Sequence, residues 1–97
     1  MIFIGAPVNF VSRGRLVRAA HAISTLSHRA GREELLALGR RVGVALIRNR
    51  YTIYEHIGLR DGRIERALQA GAVQVDWHRV VDMANAKLRR HASGARS

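Results

Sequence analysis

Apolar residues along the chain recur mostly at helical spacing, behind a short extended stretch. In residues 1–12, Ile2, Phe3, Ile4, Val8, Phe10 and Val11 are apolar or β-prone, and Pro7 pushes Ala6 toward extended geometry. This predicts an extended N-terminal arm that either packs back on the core or docks on a partner. Ser12 suits the N-cap of a first helix over 13–29, where Leu16, Ala19, Ala20, Ile23 and Leu26 share a face and Gly31 follows as terminator. A second helix is predicted from Arg32. Glu33 and Glu34 stand in its first turn, and Leu35, Leu38, Val42, Ala45 and Leu46 line its buried face. The four-residue spacing of Gly39 and Gly43 on that helix suits the close approach of a neighbour.

The stretch Tyr51–Ile57 reads equally as a strand or as a short helix ending at Gly58. Downstream, Asp61 can cap a helix over 62–70 built on Ile64, Ala67 and Leu68, with Gly71 after it. Asp76 can cap a last helix over 77–91, with Trp77, Val80, Val81, Ala84 and Leu88 as its buried stripe. The small polar residues 92–97 predict a flexible tail. The expected organisation is therefore one helical domain, 13–91, between an arm and a tail. Its expected fold class is all-α, a bundle of four to five helices.

Composition narrows the chemistry. The 97 residues carry 17 Lys+Arg against 7 Asp+Glu, a net charge of +10, and no cysteine. Disulfide scaffolds, thiol nucleophiles and cysteine zinc sites are excluded. Lys87 is the sole lysine, so the basic character is arginine's, suited to bidentate pairing with phosphate or carboxylate. Substitution of Lys by Arg throughout a GC-rich genome would produce the same preference, but not the excess over acids. Residues 1–50 hold nine Arg and two acids, and residues 51–97 hold eight basic and five acidic residues, so the charge is concentrated in the first half. The partner this implies is nucleic acid, DNA ahead of RNA, or an acidic protein surface. A second copy of the chain is a further candidate. The apolar start is too short and too broken by Gly5 and Pro7 to anchor in a bilayer, so no membrane partner and a cytoplasmic location are expected.

Residues 52–70 resemble a helix-turn-helix DNA-binding motif. The resemblance rests on Ile53 and Ile57 before a turn glycine, Gly58, then Leu59, and Ile64 with Ala67 or Leu68 anchoring the second helix. It implies a second helix lying in the major groove, with Arg60, Arg63, Arg66 and Gln69 facing bases. Tyr54 departs from the small residue usual at its position, and Gly62 is a weak opening for a recognition helix. Arg15, Arg18 and Arg29 on one helix, and Arg40, Arg41 and Arg48 on the next, are the candidate contacts to phosphate or to an acidic partner.

Catalytic and metal signals are weak. His78 and Asp82 stand four apart without a second such pair, and Ser12, Ser24 and Ser27 lack a nucleophile-elbow setting. The expectation is a noncatalytic protein with no metal and no cofactor. The functional class it points to is a small nucleic-acid-binding regulator or accessory protein of the kind phages and mobile elements encode. The alternative is an inhibitor or adaptor, anti-CRISPR-like or polymerase-binding, that masks an acidic surface on a host nucleic-acid machine.

Overall fold

The computed structural model describes residues 1–52 and 54–95, with side chains up to Arg90. It overturns the all-α expectation. The order is β1 (Ile2–Ile4), β2 (Val8–Ser12), β3 (Arg15–Ser24), α1 (His28–Val42), β4 (Ile57–Arg60), α2 (Gly62–Gln69), β5 (Val73–Gln74) and α3 (Trp77–Ala95). The strands form one five-stranded sheet with β3 at its centre.

The predicted arm is β1 and β2. Ala22 of β3 lies opposite Ile4 and Ile57, and Ala19 opposite Val8 and Arg60. β1 and β2 therefore share one edge of β3, and β4 takes the other. From Ile4 to Val8 the chain advances four residues while β3 advances three, from Ala22 to Ala19, which marks a β-bulge at Gly5-Ala6-Pro7. The bulge suits proline, which has no amide to donate to the ladder. β5 pairs in parallel with the outer edge of β1, Phe3 opposite Val73.

The first predicted helix is the clearest correction: residues 15–24 are β3. Its residues 22–24 are buried on both faces, so that end of the strand shows no inside–outside alternation. Leu16, Ala19, Ala20 and Ile23 then imitate a helical stripe. Arg13 and Gly14, with φ of 52° and 76°, are the two left-handed residues of a tight hairpin turn between β2 and β3.

The second predicted helix exists but is shifted. α1 starts at His28, encloses Gly31, and stops at Gly43, whose φ of 82° and amide bond to the Gly39 carbonyl close it. Leu35, Leu38 and Val42 are buried as expected, whereas Ala45 and Leu46 lie in the exposed connection that follows. Gly39 sits against the carbonyl of Val44, so that connection, rather than a neighbouring helix, is what approaches it.

Two helices cover one face of the sheet. Ile2, Ile4, Ala20, Ala22, Ile57 and Leu59 meet Leu35, Leu38 and Val42 of α1 and Ile64 and Ala67 of α2 in the main core. α3 covers part of the other face, packing Val80 and Met83 on Ile23 and Phe3. Asp76 caps α3 through its carboxylate and the Arg79 amide (3.0 Å). The buried stripe of α3 is Val80, Met83 and Lys87, which shares Val80 with the predicted one, whereas Trp77, Val81 and Leu88 are exposed. The helix continues to Ala95, so only residues 96–97 of the expected tail lie outside the described residues.

Candidate nucleic-acid interface

α3 leaves one end of its sheet face open. By register, His21 faces Gly58 and Ala19 faces Arg60 across the β3–β4 pair. With Phe10 of β2 these residues floor a groove whose wall is the connection after α1, residues 43–49, together with His56 and Arg63. Its volume is about 760 Å³. Arg48, Arg60, Arg63, His21 and His56 line it, and no carboxylate does among the described residues.

Local structure fixes each of these groups. Arg48 and His56 form a backbone bridge that closes the 49–55 loop, with amide-to-carbonyl bonds of 2.8 and 3.2 Å in both directions. Arg60 ends β4 with its guanidinium 5.4 Å from the centre of the Phe10 ring. Arg63, in the first turn of α2, donates from Nε to the Val42 carbonyl at 3.1 Å, satisfying one of the last carbonyls of α1.

At the end nearest α3 the groove meets an aromatic cluster. The His21 and His56 rings stack at 4.1 Å between centres. Tyr54 lies beside both, and its hydroxyl is 3.0 Å from His21 Nδ1. The exposed Trp77 meets the edges of His21 and Tyr54 at 6.4 and 6.3 Å. Desolvation first, then the charges of His56 and Arg48, hold His21 below the ordinary histidine pKa. Burial pushes the Tyr54 phenol up.

No known protein family, curated protein or solved structure matches this chain. The site is therefore read from its own geometry.

The structure divides the sequence-predicted site residues. Of the four expected to face bases, Arg60 and Arg63 reach the groove; Arg66 and Gln69 are exposed on α2 and do not line it. Residues 57–60, expected to contain the inter-helix turn, are β4, and Gly58 there is an extended residue opposite His21. Among the described residues, the second of the two expected helices forms as α2, and those before Gly58 are not helical.

Of the six expected contact arginines, Arg48 alone lines the groove. Arg15 pairs with Asp61 at 3.2 Å, Arg18 with Glu65 at 2.6 Å and Arg29 with Glu33 at 4.0 Å. The first two tie β3 to the start of α2, the third lies within α1, and all three arginines are partly neutralised. Arg40 and Arg41 lie in the last turn of α1, where cations complement the helix dipole.

His21, His56 and Phe10 were missed as site residues. A strand reading of 15–24 would have placed His21 and Ala19 on one face by alternation. Among the described residues, no three His, Asp or Glu side chains gather as a metal site, and no helix is long and apolar enough to cross a membrane.

Proposed function

We propose that the chain is a noncatalytic nucleic-acid-binding protein that holds a single strand in the open half of the sheet. The observation that carries this reading is the groove itself: three arginines and two histidines around a depression of about 760 Å³ with no lining carboxylate among the described residues. Arginines placed this way supply salt-sensitive contacts to phosphates, while Phe10, the exposed His21 imidazole and Trp77 offer π-faces on which bases stack without regard to sequence. An unpaired strand fits the groove better than a duplex, since its bases are free to turn toward those rings. Such a protein would act in the cytoplasm, as an accessory factor wherever single strands are exposed.

The test is fluorescence anisotropy of labelled single-stranded DNA, single-stranded RNA and duplex across a salt series. Three phosphate contacts predict a slope of log K against log salt of about −2 on single strands. Arg48→Ala and Arg60→Ala should each weaken every single strand to a similar extent and flatten that slope, whereas Arg66→Ala should change little. No shift with any nucleic acid at low salt would sink this reading. That outcome would favour docking on an acidic protein, for which the exposed Val8, Val11 and Leu16 of the β2–β3 hairpin speak.

A further inference from the structure

The second cavity of interest lies between the N-terminus of α1 and the middle of α3, and the function proposed above makes no use of it. Its volume is about 280 Å³. Lys87, at its wall, is 7% exposed. It continues the α3 stripe of Val80 and Met83, where an apolar side chain would be the inexpensive choice. Among the described residues it donates no hydrogen bond.

The nearby carboxylates are committed elsewhere. Glu55 Oε2 accepts from Arg32 Nε at 2.8 Å and from the Tyr51 amide at 3.0 Å. Glu34 accepts from the Ser24 hydroxyl at 2.6 Å and from the Met1 ammonium at 2.8 Å. Both still act on Lys87 electrostatically, but desolvation outweighs them and its pKa is lowered.

The helix end facing the same cavity is also open. Ser27, the N-cap residue of α1, makes no side-chain cap bond. Its hydroxyl instead accepts from Arg90 at 3.0 Å. The Ser27 side chain therefore caps none of the first-turn amides, and the positive end of the helix dipole adds to the Lys87 ammonium. Arg32 pairs with Glu55, the single carboxylate on the cavity wall among the described residues, and Lys87 has no hydrogen-bonded carboxylate of its own there.

We propose that this cavity binds a phosphate group, seated on the α1 N-terminus and held by Lys87. A tetrahedral dianion can meet the helix amides, the ammonium and the Ser27 hydroxyl at once, which a planar carboxylate does less well. The volume holds the phosphate and a few further atoms, so the group is either free or terminal on a larger ligand whose remainder lies outside. The aromatic ring of Tyr51, stacked under the Arg32 guanidinium at 4.5 Å, stands at that exit.

The test uses the full chain. Calorimetry with inorganic phosphate against chloride at matched ionic strength should show saturable binding. Lys87→Met should weaken it at least tenfold while raising the melting temperature, because a buried ammonium is replaced by an apolar chain. Lys87→Gln, which keeps a polar group, should lose phosphate affinity as well. The source is settled by short oligonucleotides with a 5′-phosphate or a 5′-hydroxyl end: a tenfold preference for the phosphorylated end marks a chain terminus, and equal binding marks free phosphate. Phosphate no better than chloride, or unchanged affinity in both Lys87 variants, would overturn the proposal. The Arg48→Ala/Arg60→Ala double variant should keep full phosphate affinity, which separates this site from the groove.

Discussion

His21 shows how one side chain can report on the whole candidate interface. Its ring is stacked on His56, bonded to the Tyr54 hydroxyl, and held below the ordinary histidine pKa of about 6.5 by desolvation and by His56 and Arg48. In the unfolded chain it takes up a proton more readily, so stability rises with pH across that range and is lost as pH falls through about 6.5. Thermal melts between pH 8 and 5 should show this acid-side loss. In His21→Gln the loss should shrink; an identical pH profile would mean that His21 is not desolvated in the fold. A bound strand reverses the sign, since phosphate favours the charged imidazole, so single strands should be held more tightly as pH falls.

At the scale of elements, the tight hairpin between β2 and β3 depends on Gly14. Its φ of 76° is one that residues bearing a Cβ rarely adopt, while no atom lies within 4 Å of where a Cβ would stand. Gly14→Ala therefore isolates the backbone cost, and urea unfolding should register a loss of about 1–2 kcal/mol. Arg13-Gly14 was also the most telling local signal that residues 8–19 form a hairpin. It is masked by the alanines of β3, whose helix propensity and spacing favoured the wrong period. α2 and the start of α3 were legible because each carries its own boundary marks: Asp61 and Gly71 around one, although the Asp61 carboxylate bonds to Arg15 and Arg18 rather than capping the helix, and Asp76 before the other. Lys87 was legible only as the sole lysine; the expected stripe ran through Leu88, so its place on the buried face was not. Residues 51–57 were poised between strand and helix, and local propensity could not choose; long-range pairing takes Ile57 into β4 and His56 into a bridge with Arg48, and the other described residues before them stay in a loop.

For the whole molecule, the net charge of +10 acts differently from the way its magnitude suggests. Glu33, Glu34, Glu55, Asp61 and Glu65 are engaged in ion pairs, and Asp76 caps α3. Apart from Arg32–Glu55 these pairs lie at the surface, where each contributes at most about 1 kcal/mol. The remaining arginines repel one another, and that repulsion is screened over about 10 Å at 0.1 M salt. Repulsion among many unpaired charges outweighs a few weak pairs. Raising sodium chloride from 10 to 150 mM should therefore increase the melting temperature; a decrease would show that the ion pairs dominate. The same salt weakens strand binding, so stability and affinity should move in opposite directions.

β1 is held on one edge by β3 and on the other by β5, with Phe3 beside both Ile23 and Val73. On a ribosome the hairpin of β2 and β3 can close while most of the chain is still unmade. The outer edge of β1 must wait until residue 73 has emerged, and loops of that length close slowly. Until then β1 presents an unpaired apolar strand, the kind of edge that recruits other chains. The late arrival of two residues, Val73 and Gln74, is thus what separates a nascent chain with that edge of β1 open from a protein in which it is covered.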